Sequence, residues 1–324
     1  MYTRREFGKV AMSGVAALVS ASVHLDAQEK FSSKFNGVQI GVMSYSYRSL
    51  KDTSAQWSPE VVDQYVDRIV KATAGDKIDV SEFWIPQIEP WGYLRAGNSD
   101  QAASQGRQNL RKWRASRPLD IFERVRKKYN AAGITLYSCM FNFDNENTDD
   151  EIEFAFDVAK VLGTNIISAN CTVASIKHVA TLAEKHKVVV SVHSENTAFD
   201  PDIDGMVFES NLLDALKLSP YIMVTLDTGH FTAYNGDAFK FVRENHKRIA
   251  NLHLKDRYKN HPTFHTDDNT PPWGKGDAPI RQILQLMKKE KYPFPGCIEY
   301  EYKSDQPAVV EVKRCLDYAR AALA

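Results

Sequence analysis

Three shortages in this sequence each remove a class of function. The charge has no excess of either sign, since 41 lysines and arginines face 41 aspartates and glutamates. No basic surface is therefore set aside for nucleic acid, and none for an anionic membrane. Cysteine is scarce, and Cys139, Cys171 and Cys297 of the four (the fourth is Cys315) sit inside apolar, strand-like runs. A free thiol there behaves as a small hydrophobe, and without a Cys-x-x-Cys pair neither a disulfide framework nor a zinc ribbon is expected. The uncharged run from Val10 to Ser22 falls short of the roughly 20 residues that a membrane helix needs. A glycine-rich turn after the first strand is also missing, which argues against a dinucleotide-binding sheet.

What is present begins with an address. Thr3-Arg4-Arg5-Glu6-Phe7-Gly8-Lys9 places a twin-arginine pair ahead of Val10–Ser22, the pattern of an export signal. Cleavage after Ala27 is expected, with residues 28–37 as a linker and 38–324 as a single domain in the periplasm. Twin-arginine export is associated with proteins that cross already folded, often metal-loaded, so the signal mildly favours a metalloprotein.

The rest alternates strand and helix. Strands are predicted at Val38–Tyr45, Ile78–Phe83, Ile134–Phe141, Asn165–Ala169, Val188–His193, Ile222–Asp227, Ala250–Lys255 and Cys297–Glu301. Helical patterns follow at 59–73, 121–132, 149–162, 176–185, 211–218, 238–249, 279–290 and 309–322. Eight such pairs, in about 290 residues, predict a closed (β/α)8 TIM barrel. Two connections are long. Ile85 to Leu119 holds Trp91, Tyr93 and Trp113 with Arg107, Arg111, Lys112, Arg114 and Arg117; it is either a lid whose arginine grips an oxyanion or a solvated basic helix. Tyr258 to Pro279, with His261, His265, Asp267, Asp268 and Trp273, is expected to drape over the mouth of the seventh strand.

Successive strand side chains face opposite sides, so Val224 and Leu226 share one face while Thr225 and Asp227 share the other. The same alternation puts His253 and Lys255 inward on the seventh strand, Ser191, His193 and Glu195 on the fifth, and Glu299 and Glu301 on the eighth. Four neighbouring strands thus deliver imidazoles and carboxylates to one rim, where such a barrel keeps its active site. Buried charges are tolerated mainly when paired or metal-bound. Mixed nitrogen and oxygen donors suit Mn²⁺, Zn²⁺, Co²⁺ or Fe²⁺ better than Ca²⁺.

Asp227-Thr-Gly-His230, His253-Leu-Lys-Asp256, Gly274-Lys-Gly276-Asp and Ile298-Glu-Tyr-Glu301 resemble motifs of the xylose-isomerase-like barrels, the sugar phosphate isomerase/epimerase superfamily. The resemblance covers roughly Val38 to Ala324. It implies one divalent metal, Mn²⁺ before Zn²⁺, Co²⁺ or Fe²⁺, held by a Glu, Asp, His, Glu set. Carried across, the Asp is Asp227, the His is His253 and the last Glu is Glu301, five residues after Gly296, with Glu299 as second choice. Where many relatives place the first Glu, this chain has His193, which puts a two-base epimerase in doubt. The metal set is thus His193, Asp227, His253 and Glu301, with Glu299, Glu195 and Lys255 as catalytic candidates. His230, Asp256, Trp84 and Asn142 are placed against the substrate, and Asp256 also as a support behind a ligand.

The resemblance implies an isomerase or epimerase that acts through an enediolate on a small, neutral or oxidised carbohydrate. A 3-keto-glycoside lyase or hydratase is the alternative on the same barrel. A non-catalytic sugar-binding protein is the third reading. Apurinic endonucleases of the endonuclease IV type share the barrel, but they use a three-metal cluster with added histidines on the second and third strands. This chain has Glu82, Trp84 and Asn142 there and no Asp-x-His pair. No nucleic acid or stable membrane partner is expected, and homo-oligomerisation is left open.

Overall fold

The structure is a computed structural model that describes residues 31–90, 100–195, 205–260 and 269–324. The twin-arginine segment, Trp91, Tyr93, His261, His265, Asp267 and Asp268 lie outside the described residues. Eight strands, β2 (Val38–Met43), β3 (Val80–Trp84), β4 (Thr135–Phe143), β5 (Ile166–Cys171), β6 (Val189–His193), β7 (Ile222–Asp227), β8 (Ile249–Leu254) and β9 (Gly296–Ile298), pair in parallel and in chain order. β2 meets β9 through Ile40 and Gly296, and through Val42 and Ile298, which closes the barrel. A two-residue strand, β1 (Lys34–Phe35), lies in the expected linker and folds back antiparallel on β2.

Strand alternation sorts the side chains as the sequence predicts. Ile40, Val42, Val190, Val192, Val224, Leu226, Leu252 and Leu254 all enter the core that the outer helices cover. Local chemistry sets the helix ends: Ser58 caps Pro59–Gly75, and Thr148 with Glu151 forms a capping box on Asp149–Leu162, which stops at Gly163 in the left-handed region. All four cysteines are buried free thiols. Among the described residues no helix is long and apolar enough to cross a membrane.

The barrel interior departs from the usual filling of branched aliphatic side chains. Ser138, Ser168, Ser191, Thr225 and Asn251 line its upper half, all fully buried around the carboxylate of Glu82. Ser138 Oγ and Asn251 Nδ2 donate to Glu82 Oε2 at 2.5 and 3.2 Å, and Ser168 Oγ donates to the same atom. A hydrogen-bonded floor therefore lies beneath the carboxyl ends of the strands.

The long connection after β3 contains a helix, Asp100–Ala115, that the sequence pattern left open. Its arginines are held by fixed carboxylates. Arg114 makes a bidentate, buried pair with Glu89 at 2.8 Å on both arms, Arg111 meets Glu151, and Arg107 meets Asp144. Arg117, just beyond, bridges Asp150 and Asp157. Trp113 packs edge-on against Trp57, Phe122 and Phe154. These groups dock the helix onto the barrel wall, so the lid arginine, one of the two readings of this segment, is not found among these four, and buried Arg114 departs from the other, a solvated basic helix.

Candidate metal centre

The site is built from the ends of β6, β7, β8 and β9. Asp227 closes β7 and caps the short helix Thr228–Ala233: its Oδ1 accepts the His230 amide at 2.7 Å. That commitment leaves Oδ2 facing the barrel axis. Thr228 Oγ1 donates to the Lys255 carbonyl at 2.8 Å, and a Cβ at Gly229 would lie 3.0 Å from that same oxygen. A side chain there would push the two strand ends apart by a few tenths of an ångström. The Asp-Thr-Gly-His order is thus a joint between β7 and β8.

Two imidazoles are aimed by partners behind them. His193 Nδ1 lies 2.7 Å from Asn170 Oδ1, and Asn170 is oriented in turn by donating to Asn142 Oδ1 at 2.9 Å. An amide oxygen accepts only, so Nδ1 carries the proton and Nε2 presents its lone pair inward. His253 Nε2 lies 2.5 Å from Glu82 Oε1, which turns Nδ1 inward, 2.9 Å from His193 Nε2 and 2.9 Å from Glu299 Oε2. Burial pushes the Glu82 carboxyl up, but His253 and the hydroxyl donors more than offset it and hold it down to about 2. For His253, burial works downward while Glu82 and Glu299 lift the imidazole to about 10. A cation entering here must displace the Nδ1 proton.

Donor atoms of His193, Asp227, His253 and Glu299 all lie within 4.8 Å of one another. Bonds of about 2.0–2.2 Å to one ion would require donor separations no greater than about 4.4 Å, close to what is seen. Asp227 Oδ2 and Glu299 Oε2 are buried without a hydrogen bond, although Lys255 Nζ is 3.0 Å from the first and His253 Nδ1 is 2.9 Å from the second. Each oxygen thus faces a cationic group without a well-aligned hydrogen bond, and a divalent cation at their shared focus would take the lone pairs that remain. The donor set therefore fits such an ion.

Glu301, expected in this set, stands outside it. Its Oε2 pairs with Lys255 Nζ at 2.8 Å and Arg257 Nη2 at 3.2 Å. β9 ends at Ile298, so Glu299 is the first side chain past the strand, and two further residues advance the chain by about 6.6 Å. That step carries Glu301 above the donor group and onto the rim. Spacing from Gly296 could not resolve this, because Glu299 and Glu301 share a face.

Lys255 is fully buried among Asp227, Glu299 and Glu301, with Nζ 3.0, 3.0 and 2.8 Å from their oxygens. Burial alone would lower its pKa, but these three carboxylates outweigh it and raise it. These contacts favour the ammonium form, which argues against the role of base considered for Lys255. His230 accepts from Lys255 at 3.0 Å, and burial with the Lys255 charge pushes its imidazole down to about 3. Glu195 sits at the mouth, 3.5 Å from His193 Nδ1 and 3.6 Å from His230 Nε2. Burial raises its carboxyl, and the two histidines together with Lys255 overcome that and bring it to about 2.

The opposite wall is apolar. Met43, Trp84 and Met140 cluster at the ends of β2, β3 and β4, with Tyr45 packed against them. Trp84, placed against the substrate by the sequence, stands in this apolar wall, whereas Asn142 accepts from Asn170 behind His193. Glu82, which the sequence offered only as a residue that is not histidine, proves to be the partner of His253. Its signal was available: it shares the inward parity of Trp84.

Asp256 does not face the pocket. Its Oδ2 accepts the amides of Gly274 and Gly276 at 2.8 and 3.0 Å, and its Oδ1 that of Ala278 at 3.1 Å. A Cβ at Gly276 would collide with Asp256 Oδ1, so the Gly-Lys-Gly-Asp turn is shaped by this carboxylate. Trp273 packs against Tyr318 of the last helix, away from the mouth. Asp256→Ala strips one acceptor from three amides at once; it is expected to lower stability by about 3 kcal/mol in denaturant unfolding while leaving cation affinity in place.

Comparison with known proteins places this geometry. Residues 103–321 match the family model described as a xylose isomerase-like TIM barrel. A Haemophilus influenzae protein named for L-ribulose-5-phosphate 3-epimerase activity is 25% identical over 137 residues, 42% of this chain. The match spans 46% of that curated relative, about half its length. Three solved structures share the fold. A sugar phosphate isomerase/epimerase of Parabacteroides distasonis has a TM-score of 0.56 at 14% identity, covering 92% of this chain and 98% of the other. An L-ribulose 3-epimerase gives 0.57 at 14%, covering 88% and 94%. A Bacillus anthracis protein described as a 3-DHS dehydratase gives 0.58 at 12%, covering 86% and 98%. With the family model matching more than half of it, the chain belongs to the xylose isomerase-like TIM barrel family.

Proposed function

We propose that this protein is a divalent-metal-dependent carbohydrate isomerase or epimerase that works through an enediolate, with Mn²⁺ first and Zn²⁺, Co²⁺ or Fe²⁺ next as its ion. The observation that carries the reading is the convergence of His193, Asp227, His253 and Glu299, whose buried donor atoms lie within 4.8 Å of one another. A cation held there supplies Lewis-acid stabilisation to negative charge on a substrate oxygen. Glu195, ionised and outside the donor group, takes the proton from the carbon between a carbonyl and a hydroxyl, and the electron pair moves to the carbonyl oxygen. The Lys255 ammonium faces that charge. Passage of the hydroxyl proton to that oxygen, and protonation of the former carbonyl carbon by Glu195 after its proton has exchanged with solvent, complete an isomerisation.

A second reading is favoured by one feature. Glu195 is a carboxylate at the mouth that is neither in the donor group nor paired with Arg257. One base acting from one face suits elimination of a neighbouring oxygen, as from a 3-keto-glycoside, as well as isomerisation. The relatives' names support both outcomes, an epimerase on one side and a dehydratase on the other. The twin-arginine reading of residues 3–9 adds that the enzyme is exported to the periplasm, where sugar phosphates are scarce.

The test is solvent exchange. With Mn²⁺ and a panel of neutral and oxidised sugars in D₂O, the wild type is expected to incorporate one deuterium per turnover, visible by NMR. Glu195→Gln should lose about 10²–10⁴-fold in that rate at unchanged metal content. Elimination would appear as a new enone signal. Binding without exchange or elimination for every sugar would instead make the protein a sugar binder.

A further inference from the structure

Where the barrel closes, between the ends of β2 and β9, a cleft of about 500 Å³ opens on the rim. Small-molecule pockets run to about 300–1,000 Å³, so the cleft is large enough for a ring. Glu301 lines it, its Oε2 lies 2.8 Å from Lys255 Nζ, and that nitrogen lies 3.0 Å from Asp227 Oδ2. One ion pair thus separates the cleft from the donor group.

Its wall continues the apolar side of the mouth. Trp84 meets Tyr45 edge-on with ring centres 4.8 Å apart, the Arg48 guanidinium lies 4.7 Å from the Tyr45 ring, and it lies 5.6 Å from the ring of Tyr300. Arg48 is fixed in that place by donating to the Tyr300 carbonyl at 2.6 Å. A file of flat groups therefore leads from inside the mouth into the cleft. The outer edge carries Lys303 and Asp305. The lining mixes both signs, Arg48 and Lys303 with Glu301 and Asp305, so no run of cations marks out a phosphate. A neutral ring, with hydroxyls for the charged groups and a C–H face for the aromatic ones, matches better.

We propose that this cleft binds a second, uncharged sugar unit joined to the one that reaches the donor group. The substrate is then a disaccharide or other glycoside, neither a free monosaccharide nor a sugar phosphate. This rests on the carbohydrate reading above and gives it a substrate class.

The experiment is calorimetric titration of the Mn²⁺-loaded protein with methyl glucoside, glucose 6-phosphate, four glucose-containing disaccharides and the 3-keto forms of each neutral sugar. At least one disaccharide is expected to bind tenfold or more tighter than its monosaccharide and than the phosphate. Asp305→Trp, which fills the cleft, should bring that ratio to about one, and Lys303→Trp should do the same from the other edge. Equal affinity for monosaccharide and disaccharide in the wild type, a preference for the phosphate, or a ratio unmoved by both tryptophans overturns the subsite and leaves the carbohydrate reading standing. If no sugar binds at all, both fall.

Discussion

Asp227→Asn is expected to strip the protein of its cation and of its activity together. The amide can still accept from the His230 amide through its oxygen and keep the cap on Thr228–Ala233. Its nitrogen then points where Oδ2 stood, setting N–H groups against the Lys255 ammonium at a distance of about 3 Å. A cation would meet a donor instead of a lone pair. Losing several kcal/mol of charge stabilisation corresponds to about 10³-fold or more in rate, and elemental analysis should find less than one tenth of the wild-type metal content. His253→Ala should do the same from β8. Chelation of the wild type should abolish turnover, and added Mn²⁺ should restore it. Glu301→Gln is the contrast: it removes a partner of Lys255 and Arg257 but no donor, so metal content stays. Full metal content in both Asp227→Asn and His253→Ala would remove the basis of the proposed chemistry.

Glu82→Gln should weaken cation binding from a distance. The wild-type carboxylate accepts from Ser138, Ser168 and Asn251 on one oxygen and from His253 on the other. A glutamine that keeps its oxygen toward the hydroxyls turns its NH₂ to His253 Nε2. That nitrogen must then accept, which moves the imidazole proton to Nδ1, the atom that faces the donor group. Partners of this kind behind a ligand are worth about 10–100-fold in metal affinity, and a loss of that size is expected in Mn²⁺ titrations followed by electron paramagnetic resonance. Glu82→Ala removes the acceptor outright. Four buried donors would lose their partner, at about 1–3 kcal/mol each and less than additively, so a drop of ~4 kcal/mol or more in unfolding free energy is expected. Wild-type affinity in the Gln variant would show that Glu82 serves only the floor of the barrel.

The contrast between the two acidic candidates at the end of β9 shows how far a strand pattern reaches. Parity alone places Glu299 and Glu301 on one face, and both do turn toward the rim. Which of them joins His193 and His253 depends on where β9 stops and how high Lys255 and Arg257 stand. The same holds for Asp256, whose carboxylate is claimed by amides 18 to 22 residues later. Its neighbour Lys255 was legible as inward, but its charge state was set by three carboxylates from β7 and the chain after β9.

Read alone, the chain determined the eight alternating units, the inward parity of His193, Asp227 and His253, and the buried state of Cys139, Cys171 and Cys297. These follow from periodicity, which is local: a two-residue repeat fixes a side chain's face whatever the strand later packs against. The tertiary structure decided the rest: that Glu299 completes the donor group, that Glu82 and Asn170 aim the imidazoles, that the basic helix is pinned by carboxylates, and that a cleft opens where β2 meets β9. Those outcomes depend on heights and separations between strands distant in the chain, and closure of the barrel sets them only once all eight are in place.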